Sequence, residues 1–195
     1  AGPIERELKF RVKDLAALRR ALESAGATLV TPRAFEDNRV WDRGGELRER
    51  GCVLRLRRDG RGDRLTFKGQ AQFVDRVKER VEHETPIDSG DTVAAIFGEL
   101  GFEISRRYQK VREEWQLGEI LVALDRTPMG SFAEFEGQGV RECARRFGFE
   151  IEQAESGSYF DLWEDYRRDR PGLTEDMIFD PSPPEATSSP DQGEP

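Results

Sequence analysis

Glu5-Arg6-Glu7-Leu8-Lys9 decides the reading of this chain. Successive side chains of an extended strand point to opposite faces. Glu5, Glu7 and Lys9 therefore share one face, while Ile4, Leu8 and Phe10 take the other. The rhythm returns along the sequence. Arg55 and Arg57 alternate with Leu54 and Leu56, Arg64 and Lys68 with Leu65 and Phe67, and Glu82 and Glu84 lie on one parity. Lys110, Arg112 and Glu114 follow the same rule, Asp125 ends the run Ile120 to Leu124, and Glu134 and Glu136 alternate with Ala133 and Phe135. One such stretch is an ordinary antiparallel strand with its polar face in water. Many together, several with like charges two residues apart, disfavour that face unless opposite charge sits against it. The pattern predicts an α+β fold: an eight-stranded antiparallel β-barrel with a charged interior and helices packed outside.

Strands are expected near 4–12, 35–42, 52–58, 63–69, 77–86, 103–115, 118–126 and 131–137. Asp14 caps an amphipathic helix that carries Leu15, Leu18 and Leu22 and stops at Gly26; a second helix runs from Asp91 to Leu100 and stops at Gly101. Two more are expected near 138–147 and 157–168. The unit of Glu5 and Glu7 with its helix echoes the unit of Glu82 and Glu84 with its helix, which suggests two similar half-barrels.

Charged residues make up 36% of the 195, and mean hydropathy is −0.73, yet apolar residues also reach 36% and arrive periodically, as in a folded domain. No apolar run reaches membrane-spanning length and no signal-peptide pattern opens the chain, so a cytoplasmic protein without membrane contact is expected. Cys52 and Cys143 match no metal spacing and read as free thiols. The net charge of −8 is uneven: six acids and no Lys or Arg follow Arg170, leaving the first 170 residues at −2. That near-neutral body lacks the positive excess of a nucleic-acid binder. A domain over 1–170 is therefore expected, followed by an acidic, Pro- and Ser-rich tail over 171–195, disordered from about 180.

A lumen lined by Glu5, Glu7, Asp125, Glu134 and Glu136 with Lys9, Arg55, Arg57, Lys68, Lys110 and Arg112 needs neutralising. Internal salt bridges alone carry a large desolvation cost. A polyanion with divalent cations uses both halves of the set, because Arg and Lys grip phosphate oxygens while carboxylates hold Mg²⁺ or Mn²⁺ against them. Other chemistry finds little support in the sequence. The only histidine, His83, has the parity opposite to Glu82 and Glu84 and faces outward, which removes Ser-His-Asp and Cys-His machinery. Neither a P-loop nor a dinucleotide fingerprint is present, and Gly60-Arg61-Gly62 reads as a turn.

Glu5-Arg6-Glu7-Leu8-Lys9 resembles the ExExK signature of the CYTH superfamily, the triphosphate tunnel metalloenzymes. That group includes class IV adenylyl cyclases, thiamine triphosphatases and inorganic triphosphatases. Asp42, Leu54-Arg55-Leu56-Arg57, Leu65-Thr66-Phe67-Lys68-Gly69, Lys110-Val111-Arg112, Asp125 to Gly130, Phe132 to Gly137 and Ser158-Tyr159 extend the likeness over residues 4–168. The resemblance implies an eight-stranded tunnel for a triphosphate. By the same resemblance, Glu5, Glu7, Asp125, Glu134 and Glu136 are metal ligands, Lys9, Arg55, Arg57, Lys68, Lys110 and Arg112 are the phosphate-holding set, and Glu5, Glu7, Lys9, Glu134 and Glu136 are catalytic. Glu82 and Glu84 match further acids of the pattern. Many relatives carry a basic residue just before the Ser-Tyr pair, where this chain has Gly157. The implied activity is metal-dependent hydrolysis of a small-molecule triphosphate by a monomer or homodimer. The alternatives are cyclisation of ATP to cyclic AMP and pyrophosphate, and polyphosphate or nucleotide binding without turnover.

Overall fold

The structure, a computed structural model, describes residues 4–181. The expected disorder of the tail falls mainly on 182–195, outside the described residues. The first half runs β1 (Ile4–Arg11), α1 (Leu15–Ser24), β2 (Thr28–Asp42), α2 (Glu46–Glu49), β3 (Val53–Asp59), β4 (Gly62–Lys68) and β5 (Gln72–Val74). The second runs β6 (Val77–Ile87), α3 (Gly90–Glu99), β7 (Glu103–Leu117), β8 (Ile120–Thr127), β9 (Gly130–Glu136), α4 (Val140–Arg146), a 3₁₀ turn at Ile151–Gln153 and α5 (Tyr159–Arg167).

All pairings between these strands are antiparallel, in the order β1-β9-β8-β7-β2-β3-β4-β6, and the pairing of β6 with β1 closes an eight-stranded barrel. The short β5 adds beside β6. The connectivity repeats: β1-α1-β2-β3-β4 and β6-α3-β7-β8-β9 are each a strand, a helix and three meandering strands, with β1 against β6 and β2 against β7. The two equivalent helices end alike. Gly26 (φ +83°) lets Ala27 N–H donate to Leu22 O at 2.9 Å, and Gly101 (φ +79°) lets Phe102 N–H donate to Phe97 O at 2.8 Å. Both are Schellman turns, whose left-handed residue favours glycine.

Strand β2 begins seven residues before its expected start. Pro32 is the reason: it has no N–H for the ladder, the β2–β7 register shifts on either side of it, and the alternation is lost there. Helix α2 is fastened by Asp42, whose Oδ1 accepts from Arg43 N (2.7 Å) and Leu47 N (3.0 Å) while Oδ2 accepts from Arg48 N (3.1 Å). Asp42 thus serves a turn rather than the lumen.

Because the charges point inward, the main apolar core lies outside the barrel wall. Leu8 and Phe10 of β1, Val122 and Leu124 of β8 and Ala133 and Phe135 of β9 pack beneath Leu18 and Leu22 of α1 and Val140 and Ala144 of α4. A second cluster gathers Val40, Tyr108, Met129 and Phe132 with Tyr159, Leu162 and Trp163 of α5 and with Met177. Residues after α5 hold to β7: Met177 N–H donates to Arg107 O (3.0 Å) and Gln109 N–H to Met177 O (2.8 Å).

Phe135 is fully buried, with ring centroids of Phe10, Phe147 and Phe149 at 5.9, 6.2 and 5.6 Å. Phe135→Ala is expected to cost about 3–5 kcal/mol in urea unfolding; a loss below about 1 kcal/mol would show that this outer core does not hold the wall.

Candidate active site in the barrel lumen

Ten of the eleven expected site residues line one cavity of about 560 Å³: Glu5, Glu7, Lys9, Arg55, Arg57, Lys68, Lys110, Arg112, Glu134 and Glu136. Strand register brings them together. Glu7 lies opposite Glu136 and Lys9 opposite Glu134, Lys68 lies opposite Glu82, and Lys110 opposite Glu36. Asp125 is the exception. It is fully buried beneath the lumen, its oxygens taken by Lys110 Nζ (3.1 Å), Arg112 Nε (2.7 Å) and the Tyr159 hydroxyl (2.6 Å). His83 is exposed, and Cys52 and Cys143 are free.

The cations are aimed by internal partners. Arg55 donates to Tyr108 Oη (2.9 Å) and Thr66 Oγ1 (3.0 Å) and pairs with Glu84 (3.3 Å). Arg57 donates to Asn38 Oδ1 (3.2 Å) and lies 3.4 Å from Glu36. Arg112 bonds both Asp125 and Glu134. Lys9 Nζ lies 3.5 Å from Glu7 and 3.4 Å from Glu134, and 4.2 Å over the Tyr159 ring. Burial opposes the charge of Lys9, but Glu7 and Glu134 outweigh it and raise its pKa. Burial likewise opposes ionisation of Glu134, but Arg112, Lys9 and Lys110 hold its pKa well below the ordinary range.

Four carboxylates stand close together. Glu5, Glu7, Glu82 and Glu136 stand on the adjacent strands β6, β1 and β9. Burial, joined by Glu5, Glu82 and Glu7 against the pull of Lys68, lifts Glu136 to about 7. Glu5 is raised by burial and by its hydrogen bond with Glu82, although Lys68 lies 3.0 Å from Glu5 and 2.7 Å from Glu82. Carboxylates gather at this end of the lumen, and their oxygens are the ligand chemistry of Mg²⁺ and Mn²⁺. The residues fit such an ion by donor type and charge. Among the described residues no three His, Cys, Asp or Glu side chains stand together as a finished metal cage.

Sequence reading missed Glu36, Tyr108, Lys78, Arg80 and the role of Tyr159. Tyr108 shares the parity of Lys110 and Arg112, and Lys78 and Arg80 share that of Glu82 and Glu84, so the signal was present. Glu36 was hidden because Asp37 and Arg39 put charge on the opposite face of the same strand.

Glu36 also supplies a pH test. Burial would raise its pKa, but Arg57, Lys110, Arg112 and Arg55 outweigh burial and hold it at about 2. A depressed folded-state pKa contributes stability that is present above the unfolded value and lost as pH falls through the folded one. Glu36→Gln is therefore expected to cost about 3 kcal/mol near pH 7, and the gap from wild type to narrow between about pH 4.5 and pH 2. A gap independent of pH in urea titrations would contradict the pairing.

The fold has counterparts among known proteins. A candidate adenylate cyclase from Vibrio parahaemolyticus has a similar structure at TM-score 0.75 and 22% identity, covering 84% of this chain and 99% of that one. The PH1012 protein of Pyrococcus horikoshii matches at TM-score 0.69 and 23% identity, covering 81% and 98%. An adenylyl cyclase candidate from Hippeastrum, HpAC1, described as revealing a dominant triphosphatase activity, matches at TM-score 0.61 and 18% identity, covering 83% and 95%. These likenesses show the fold. The search of curated proteins gives no match. The CYTH domain family matches residues 3–156, most of the chain and every lumen strand, and the chain belongs to that family.

Proposed function

We propose that this protein is a metal-dependent triphosphatase that binds a small-molecule triphosphate in the barrel lumen and hydrolyses it, releasing phosphate or pyrophosphate. One observation carries the reading. Lys9, Arg55, Arg57, Lys68, Lys110 and Arg112 converge on a cavity that Glu5, Glu7, Glu134 and Glu136 also line. Membership of a family whose tunnel enzymes act on triphosphates with divalent metals supports it.

The residues act as follows. Arg55, Arg57 and Lys110 hold phosphate oxygens, already oriented by Tyr108, Glu36 and Asp125. Lys9 and Arg112 neutralise charge that develops on the leaving oxygen, which is most of what phosphoryl transfer asks of a protein. Glu5, Glu7 and Glu136, with Glu134, would hold Mg²⁺ or Mn²⁺, which when bound supplies charge neutralisation and an acidified water. Asp125 positions Arg112 and Lys110 from below.

Hydrolysis is favoured over cyclisation by what the lining lacks. Among the described residues it contains no Asn, Gln, His or Thr, and its uncharged polar groups are Tyr108, Ser158 and Tyr159. The Tyr108 and Tyr159 hydroxyls serve Arg55 and Asp125, and Ser158 caps α5 through Asp161. Little remains to read a purine edge. A binding module without turnover has no use for so many carboxylates around an anion.

Tripolyphosphate, thiamine triphosphate and ATP, each with Mg²⁺ or Mn²⁺, separate the readings once phosphate, pyrophosphate and cyclic AMP are resolved. Phosphate release is expected; cyclic AMP from ATP would make the protein a cyclase, and binding without products would make it a module. Glu134→Gln and Glu136→Gln are each expected to lower kcat by about a hundredfold or more with an unchanged circular dichroism spectrum. Arg57→Ala and Lys68→Ala are expected to raise KM as well, because phosphate contacts exist in the ground state. Near wild-type turnover in both glutamine variants would place the metal elsewhere.

A further inference from the structure

Lys78 and Arg80 stand outside the pairs described above. Both lie on β6 with the parity of Glu82 and Glu84, and both line the cavity. Lys78 is across from Glu7 and Arg80 across from Glu5, so they border the carboxylate end of the lumen. Both carry unspent donor capacity. Lys68 is met by Glu5 and Glu82, Arg55 by Tyr108, Thr66 and Glu84, and Arg112 by Asp125 and Glu134. Among the described residues Lys78 has neither an ion pair nor a side-chain hydrogen bond, and Arg80 Nε is buried without a partner, Glu5 Oε2 being 3.9 Å away.

An unpaired buried N–H of a cation is costly unless an acceptor meets it. The nearby acids are already engaged, Glu5 by Lys68 and Glu7 by Lys9. The missing acceptor is therefore one that enters the cavity. It must be anionic and offer several oxygens to an ammonium and a guanidinium set two residues apart on one strand, which describes a phosphate group.

We infer that Lys78 and Arg80 form a further phosphate subsite on β6, beside the carboxylates of β1 and β9, that holds one end of a phosphate chain or the orthophosphate released from it. The identity of the chain rests on the triphosphatase reading; the binding of phosphate by these two residues is measured independently of turnover.

The test is calorimetric titration of the full-length protein with orthophosphate in metal-free buffer. It compares wild type, Lys78→Met, Arg80→Gln, the double variant, Lys78→Arg, and Arg76→Gln as an exposed cation on the neighbouring turn. The double variant is expected to bind orthophosphate at least about tenfold more weakly, with Lys78→Arg and Arg76→Gln close to wild type. The KM for tripolyphosphate is expected to rise by a similar factor with a smaller change in kcat. Unchanged orthophosphate affinity in a double variant with a native circular dichroism spectrum would overturn the subsite, as would wild type that binds no orthophosphate. If the variants lose orthophosphate as expected but wild type hydrolyses no triphosphate, the subsite stands and the triphosphatase reading falls.

Discussion

Charge inside a closed barrel is the constraint on which the rest of this structure depends. Ten basic and seven acidic side chains line one cavity, and each would cost several kcal/mol to bury alone. They are tolerable only as a network, and a network requires one register. A slip of a single residue would turn a whole strand's charges into the helix-covered outer core. The outer packing of Phe10, Phe135, Leu18 and Leu22 and the inner pairing of Lys9, Glu134 and Arg112 thus select the same register from opposite faces of one wall.

The network is biased as well as closed. The lining has more cations than anions, although the chain as a whole is acidic. Glu36 and Asp125 sit beneath the surface and steady Arg57, Lys110 and Arg112 without filling the space in front of them. Asn38 Nδ2 and Arg55 Nε are buried with no acceptor among the described residues. Donors fixed in advance and left partly unsatisfied favour an anionic ligand with many oxygens, because little reorganisation is needed when it arrives. At the Glu5 and Glu136 end four carboxylates stand close together among Lys9, Lys68, Lys78 and Arg80, and carboxylate oxygens are the donors a divalent cation takes.

Much of this was legible in sequence because strand parity is a strict code: Glu5, Glu7 and Lys9 could not face inward without Leu8 and Phe10 facing outward. The code failed where its physical basis fails. Pro32 interrupts the β2 ladder, so residues 28–34 showed no alternation, and charges on both faces concealed Glu36. The three-residue β5 and the four-residue α2 are too short to leave a period. Asp125 has the right parity, yet its depth beneath Lys110 and Arg112 depends on Tyr159, which arrives from α5 and has no local signature on β8. Tertiary contacts of that kind lie beyond any reading of single strands.

The central claim is that the lumen is the triphosphate site, and a crystal structure with a non-hydrolysable triphosphate analogue tests it most directly. The account predicts phosphate oxygens within hydrogen-bond distance, about 3 Å, of Arg55, Arg57 and Lys110, with the barrel wall unmoved. An analogue bound on the outer surface, with the internal pairs of Arg57 to Glu36 and Arg112 to Asp125 undisturbed and the cavity filled only by water, would contradict it.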